Sequence, residues 1–258
     1  MYRMRAFYSG FRLQISFFRN YPDAIVPLLT APLFAVLFTL ILRAGGRGDL
    51  SGYSVIAAFY MTLWRFAVFN GGWIIQTERW GRTIDYLVAA PVSFFAVILG
   101  RISSMMVAGA VAFVELWLFG VYVLHANLTI HHLSVFVASI LLTLFAMTTT
   151  SLFMSNMFVL TRAAQAYSNS LSYPVYLLGC ILVPVNFLPG WLQPVTKVIF
   201  LSWSARLLQG SFQATPIPHA QFDLAWLIVL GLGALVAASR MLERNLGRVR
   251  LSGELTLR

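Results

Sequence analysis

Long apolar segments of membrane-spanning length occupy most of this chain. Charged residues make up only 10% of its 258 positions, and its mean hydropathy is +0.80, whereas soluble domains carry about 25% charged residues. A helix needs about 20 apolar residues to cross the hydrocarbon core of a bilayer. The pattern therefore predicts an all-α integral membrane protein in which residues 1–258 form a single transmembrane domain.

Six spans are expected in this domain, from the apolar runs and the polar turns between them. They are predicted at residues 24–42, 53–75, 94–124, 133–160, 168–185 and 224–239. Prolines interrupt residues 186–221, so one continuous spanning helix does not fit there. This stretch is expected to be a re-entrant segment or a short amphipathic helix at one membrane surface.

Residues 1–21 are predicted to form an amphipathic helix lying in the membrane interface. Phe11 and Phe18 belong to an apolar series at helical spacing, and Arg5 and Arg12 lie seven residues apart on another side. Aromatic residues on one face and arginines on the other are typical of interfacial helices. A short cytoplasmic lead-in is the alternative.

Arginine and lysine residues predict the orientation, because cytoplasmic loops retain positive charge. With six spans both termini share one side, and that side carries most of the basic residues. Its arginines are Arg3, Arg5, Arg12, Arg19, Arg79, Arg82, Arg162, Arg240, Arg244, Arg248, Arg250 and Arg258, whereas the other side holds Arg43, Arg47, Lys197 and Arg206. Both termini, including a basic tail at 240–258, are therefore expected in the cytoplasm, and the chain is expected to be a multi-pass protein of the cytoplasmic (inner) membrane.

The motifs of several chemistries are missing from the chain. Lys197 is the only lysine and no glycine-rich turn precedes it, which excludes a phosphate-binding P-loop. The four histidines do not form a set typical of a metal site. The net charge of +10 does not indicate a nucleic-acid partner, because the arginines are scattered among apolar spans. We therefore expect a non-catalytic chain without a cofactor or metal of its own.

The stretch 78–91 is too charged for hydrocarbon and lies between the second and third predicted spans. Its apolar residues recur at helical spacing, while its charges keep another face polar. The apolar face has Trp80, Ile84, Leu87 and Val88, and the polar face has Glu78, Arg82 and Asp85. This pattern predicts a short helix parallel to the membrane, which either serves as a handle for a soluble partner or only anchors the loop.

Arg65 and Glu115 are charged residues inside predicted spans, where charge is costly and often functional. With a rise of about 1.5 Å per residue, the two lie at similar depths below the outer surface. An ion pair between them is therefore geometrically feasible, and one or both are expected to face a transport pathway. Snorkelling of Arg65 towards water and separate placement along a polar cavity are the alternatives.

Two motifs resemble those of a known family. The run Glu78-Arg79-x-Gly81-x-x-Asp85-x-Leu87-x-x-x-Pro91-Val92-Ser93, followed by Gly100-Arg101-Ile102, resembles the cytoplasmic coupling segment of ABC-2 type transporter permeases. The run Asn186-Phe187-Leu188-Pro189-Gly190-Trp191-Leu192-Gln193-Pro194, with Arg206 downstream, is similar to the segment before the last span of that family. Asp85 departs mildly from the pattern, because Glu is common at that position.

This resemblance implies the membrane-spanning permease subunit of an ATP-driven exporter. ATP and Mg would be bound by separate ATPase chains, and a second permease copy or a sister permease would complete a dimer with alternating access at its interface. The implied ATPase-coupling residues are Glu78, Arg79, Gly81, Arg82, Asp85, Leu87 and Pro91. The helix around Arg5–Phe18 would pack alongside the ATPase domain. Pro189, Trp191 and Arg206 would lie in an external re-entrant segment.

The substrate class is left open by these motifs, which drug, lipid-linked and glycan exporters share. An amphipathic substrate is expected. Two other classes of function remain as alternatives. An ATP-independent secondary transporter would be expected to contain inverted repeats. A membrane-embedded enzyme would need several catalytic groups at the same depth in the membrane.

Overall fold

The fold is taken from a computed structural model of the chain. It describes residues 2–21, 26–46, 51–81, 83, 86–87, 92–126, 128–159, 161, 163–181, 185 and 188–252, without the side chains of residues 2, 51 and 246–252. Throughout these ranges the secondary structure is helical and no strand occurs. The all-helical fold class predicted from the sequence is confirmed for this part of the chain.

The described helices follow one another along the chain. In chain order they are α1 (Tyr2–Asn20), α2 (Val26–Ala44), α3 (Ser51–Arg65), a π-helix (Phe66–Gly71), α4 (Ile74–Trp80), α5 (Phe94–Tyr122), α6 (Leu133–Val159), α7 (Ala164–Leu178), α8 (Gln193–Thr196), α9 (Phe200–Ser211) and α10 (Ala220–Ser252).

Five stretches of this described structure are long and apolar enough to cross a membrane. They are Val26–Ala44, Gly52–Trp80, Phe94–Tyr122, Leu133–Val159 and Ala220–Asn245. The second of them combines α3, the π-helix and α4. The chain is therefore an integral, multi-pass membrane protein.

The helix α7 is shorter than the span predicted at 168–185. Its 15 residues extend about 22 Å, less than the ~30 Å hydrocarbon core, and it ends before Cys180, whose φ of 55° is left-handed. α7 and the turn after it nevertheless contact α3 and the residues up to Trp73 through three hydrogen bonds. These run from Tyr53 Oη to the Cys180 carbonyl (2.7 Å), from Trp64 Nε1 to Ser172 Oγ (3.1 Å) and from Trp73 Nε1 to Ser168 Oγ (3.2 Å).

The core lies where α3 packs antiparallel against α5. The rings of Phe59 and Phe113 meet edge-on, with centroids 5.1 Å apart. Glycines on α5 permit this approach, because a Cβ on Gly109 would lie 2.9 Å from Leu63 Cδ1. Within a bilayer, close packing of this kind stabilises helix pairs more than burial from water does.

The π-helix is held open by a side chain of α6. The Ala67 carbonyl accepts hydrogen bonds from both the Gly72 amide (2.8 Å) and the Ser151 hydroxyl (2.6 Å). A Cβ on Gly71 would come closer than 3.0 Å to Ser151 Oγ, so only glycine allows the serine to reach the carbonyl. This local widening interrupts the α-helical hydrogen-bond pattern, and α4 then continues to the charged stretch.

The bundle has two distinct ends. At the first, which we call the α1 end, Arg79 Nη1 donates to the Val159 carbonyl (3.3 Å) near α1 and the start of α5. At the second, the opposite end, Arg43 Nη2 donates to the Leu124 carbonyl (3.1 Å). The His131 amide also donates there, to the Ser211 carbonyl (2.9 Å).

The helix α9 is part of the bundle and packs against α3, α6 and α10. Its Ser204 hydroxyl is buried and shares hydrogen bonds with Tyr60 Oη (2.6 Å) and with Thr143 Oγ1. Leu201 and Leu208 are also fully buried. The part of the proline-interrupted stretch that forms α9 is therefore buried in the bundle.

The last helix is longer than expected. The sequence predicts a span at 224–239 and a separate tail, whereas α10 runs without a break from Ala220 to Ser252. No proline interrupts the tail, and Leu242 within it is buried. The rise in charge after Arg240 therefore ends the apolar segment but not the helix.

Candidate functional site

At the α1 end, α1 crosses α5 with the two backbones in contact. A Cβ on Gly10 would come closer than 3.0 Å to the Val97 carbonyl, and one on Gly100 equally close to that of Phe7. Such crossings depend on small residues. The helix predicted from the sequence is therefore present, but one of its faces is covered by the protein.

The covered face of α1 is not the phenylalanine series. It consists of Ala6, Gly10 and Gln14, which are buried at intervals of four residues. Phe11 and Phe18 are half-buried at its flank, whereas Arg5 and Arg12 are exposed. The small and polar residues at helical spacing thus mark the face of α1 that packs against the protein. The sequence prediction instead followed the aromatic residues.

A buried polar network lies beside this crossing. The guanidinium of Arg101, on α5, donates to Glu78 Oε1 and, through Nε, to Gln14 Oε1 at 3.0 Å. The hydroxyl of Thr83 donates to the second oxygen of the same carboxylate. Arg101 is only 4% exposed and Glu78 only 9%. Burial of two charges is tolerated here because each is paired and hydrogen-bonded.

The network joins three elements that are far apart in sequence. Gln14 belongs to α1, Glu78 to the end of α4 and Arg101 to the start of α5. Removing one member of a buried ion pair costs about 3–5 kcal/mol, because the other charge stays desolvated. The pair therefore resists separation of the two helices that flank the charged stretch.

Glu78 occupies a different environment from the one its place in the motif implies. The resemblance makes it a contact for an ATPase, but its carboxylate faces the protein interior. The side chains that face solvent in this region are Trp80, 65% exposed, and Tyr86, 79% exposed. Gly81 and Thr83 are exposed between them.

The other residues of the motif divide into two groups. Arg79 is half-buried against the end of α6, where it satisfies a terminal carbonyl. Leu87 is half-buried and packs against the small cluster of Ala6, Ala96 and Val97. Arg82, Asp85 and Pro91 lie outside the described residues.

Arg101 belongs to the motif but had no predicted role, and Gln14 was not predicted as a site residue. A usable signal existed. Arg101 stands seven residues inside an apolar span, where an unpaired charge is costly, and Glu78 ends the preceding span. Opposite charges at adjoining ends of consecutive spans favour a pair.

Arg65 and Glu115 do not pair in the structure. Leu63 lies against Gly109 and α3 is antiparallel to α5, so Arg65 is level with about residue 107 of α5, whereas Glu115 lies about eight residues, or ~12 Å, further along that helix. Depth estimated from predicted span ends was the source of this error. Both side chains are half-exposed on the bundle surface.

The residues predicted for the external segment lie at the opposite end. Pro189 and Trp191 are exposed before α8. Arg206, on α9, has its guanidinium 4.8 Å from the ring centroid of Trp203 and 3.7 Å from Asp223 Oδ2. These three residues therefore do not form one cluster with the network at the α1 end.

Comparison with known proteins gives one positive result. The model of the ABC-2 type transporter family matches residues 8–212 of the 258, which includes most of α1, the buried network and α9. A search of curated proteins finds no significant match. The all-helical structure and its five stretches of membrane-spanning length agree with this membrane family. The chain therefore belongs to the ABC-2 type transporter family and is a membrane transport permease.

Proposed function

We propose that this chain is the permease subunit of an ATP-driven exporter and that a separate ATPase docks at the α1 end. ATP and Mg are bound and hydrolysed by the partner, and this chain contributes no catalysis. Two permease subunits, identical or sister chains, form the pathway at their interface. The expected substrate is amphipathic, of the drug-like, lipid-linked or glycan type.

The observation that carries this proposal is the buried network of Glu78, Arg101 and Gln14. An ATPase that closes on nucleotide must move membrane helices through a small contact area. A loop that is braced to α1, α4 and α5 passes such a movement to all three. A loop that only anchors itself at the membrane surface has no need of a buried ion pair, whose desolvation is costly.

Residues of the charged stretch have two different proposed roles, contact with the partner and positioning of the helices. Trp80 and Tyr86 are the exposed side chains that a partner reaches first, and aromatic residues dominate the energies of protein interfaces. Glu78 and Arg101 are positioning residues behind that surface. The bond from Arg79 to the Val159 carbonyl extends the connection to α6.

The proposed topology has six spans, both termini in the cytoplasm and the α1 end facing the cytoplasm of the inner membrane. The hydrogen bonds that join α7 and Cys180 to Tyr53, Trp64 and Trp73 support a short sixth crossing. The distribution of charge supports the orientation. The described basic residues at the α1 end include Arg3, Arg5, Arg12, Arg19, Arg79, Arg240 and Arg244, whereas Arg43, Lys197 and Arg206 lie at the opposite end.

Affinity purification of the chain from its host in mild detergent, with mass spectrometry of the proteins that come with it, tests the proposal. An ATP-binding chain is expected in about equal amount. The double variant Trp80→Ala/Tyr86→Ala is expected to reduce its recovery about tenfold or more, because exposed aromatic contacts of this kind are frequent hot spots.

The matched control is Tyr122→Ala/Trp191→Ala, which removes two similarly exposed aromatic side chains away from the α1 end. It is expected to leave recovery of the ATPase unchanged. Absence of any ATPase from the wild-type sample, or equal loss in both double variants, would contradict docking at the α1 end. A second permease in the sample would identify a heterodimer.

A further inference from the structure

A cavity opens at the opposite end of the bundle, between α9 and the first turn of α10. Its volume is about 710 Å³, within the range of roughly 300–1,000 Å³ that is usual for small-molecule sites. Its lining includes Lys197, Trp203, Arg206, His219, Phe222 and Asp223. Both charge signs and two aromatic rings therefore meet in one recess.

Asp223 contributes a carboxylate that lacks a full set of partners. The residue is only 2% exposed, and its Oδ2 atom accepts no hydrogen bond. The nearest cation, Nη1 of Arg206, is 3.7 Å away, too far for a hydrogen bond. An acidic residue in the first turn of a helix complements the helix dipole, but that does not account for a buried oxygen without a donor.

Aromatic residues contact the guanidinium of Arg206 and the backbone of Lys197 at the cavity. The guanidinium of Arg206 lies over the ring of Trp203 and keeps half of its side chain exposed. The backbone carbonyl of Lys197 accepts bonds from the indoles of Trp203 (2.8 Å) and Trp226 (3.3 Å). The lysine is thereby fixed at the cavity while its side chain stays exposed.

These charges define the chemistry of a ligand. Two basic side chains outnumber one carboxylate, which favours an anionic group, and the unpartnered Oδ2 of Asp223 favours a cationic or polar donor. The ring of Phe222 lines the cavity and stacks on that of Trp226 at an interplanar angle of 7°, and an aromatic ring in this position suits an ammonium group and its methylenes.

We propose that this cavity binds a phosphate group joined to an ammonium group, as in a phosphoethanolamine headgroup. The phosphate lies between Lys197 and Arg206, where charge-assisted bonds are strong, and the ammonium donates to Asp223 Oδ2. A membrane lipid and a soluble phosphoethanolamine compound both carry this chemistry. The site does not depend on the proposed ATPase, because it lies at the other end of the bundle.

The test is native mass spectrometry of the delipidated full chain in detergent. It is titrated with phosphatidylethanolamine, with phosphatidylglycerol of the same acyl chains, and with soluble glycerophosphoethanolamine. Phosphatidylethanolamine is expected to be retained about tenfold better than phosphatidylglycerol, since only it pairs an ammonium with Asp223. Competition by the soluble compound assigns the site to the free headgroup chemistry, and its failure to compete assigns the site to the lipid.

Three variants separate the groups. Asp223→Asn, which keeps the side-chain shape, is expected to abolish the preference for ethanolamine while retaining both lipids. Lys197→Gln/Arg206→Gln is expected to weaken retention of both lipids about tenfold or more. Arg43→Gln removes a cation at the same end but outside the cavity and is expected to change neither.

Thermal unfolding of each variant in the same detergent verifies that it is folded. Equal retention of phosphatidylethanolamine by the wild type and by Lys197→Gln/Arg206→Gln would overturn the proposal. So would a wild-type chain that retains the two lipids equally, because the carboxylate of Asp223 would then have no part in binding.

Discussion

Neutralising the buried pair of Glu78 and Arg101 provides the sharpest test of the network at the α1 end. The variant Arg101→Gln leaves the Glu78 carboxylate desolvated and bonded only to Thr83. Such a loss costs about 3–5 kcal/mol. Because Thr83 is exposed and water reaches the edge of the site, we expect the lower limit, about 3 kcal/mol.

The double variant Glu78→Gln/Arg101→Gln removes both charges together and leaves two amides that are able to bond to each other. It is expected to cost about 2 kcal/mol less than the sum of the two single variants, within the range found for contacting residues. The free energies are measured by unfolding in mixed detergent and dodecyl sulfate micelles, with helical circular dichroism as the signal.

A control cycle combines Glu78→Gln with Arg43→Gln, whose guanidinium bonds to a backbone carbonyl at the opposite end. Distant residues without shared partners are additive within about 0.5 kcal/mol. If the Glu78–Arg101 cycle were equally additive, the two charges would contribute independently. The pair would then not hold the two helices together.

Three further predictions concern close contacts. Gly100→Leu is expected to displace α1, because even a Cβ at this position meets the Phe7 carbonyl, and cleavage of α1 by added protease should rise several-fold relative to Ala108→Leu on the same helix. Gly71→Ala is expected to cost about 1–3 kcal/mol through its clash with Ser151 Oγ, and Ser151→Ala in the same chain should recover most of that loss in thermal unfolding; no recovery would refute the contact. Ser204→Ala is expected to cost about 1–3 kcal/mol, because the buried hydroxyls of Tyr60 and Thr143 lose a shared partner. Ser239→Ala should stay within about 0.5 kcal/mol of the wild type, because the half-buried Ser239 bonds to a carbonyl of its own helix.

Hydropathy predicted the long helices well because lipid imposes a simple rule on them: a spanning segment must be apolar and satisfy its own backbone. The span predicted at 94–124 corresponds to α5 (Phe94–Tyr122), and that at 133–160 to α6 (Leu133–Val159). The same rule failed for α7, which is partly polar and short. Its position depends on bonds from Trp64 and Trp73 that no local pattern records.

The charged stretch 78–91 was singled out from the sequence, but the network of Glu78, Arg101 and Gln14 was not predicted. Periodicity put the charge of Glu78 on an outward, polar face, because it treats every charge as solvated. The side chain faces inward since Arg101 approaches it from a helix 23 residues further along the chain. Likewise, Ser151 lies 84 residues from the carbonyl that it bonds, so the π-helix has no signature in its own sequence.

The π-helix determines the directions, around the helix axis, in which the side chains of α4 point. Successive residues of an α-helix are turned by about 100°, so the wider turn at Phe66–Gly71 sets the direction in which Glu78 points. Deleting one residue there would turn the carboxylate about a quarter of a circle away from Arg101 while leaving the helix apolar and long enough to span. The direction in which the charged stretch faces therefore depends on the number of residues in the π-helix. That helix lies inside the span, about half a span away from the charged residues.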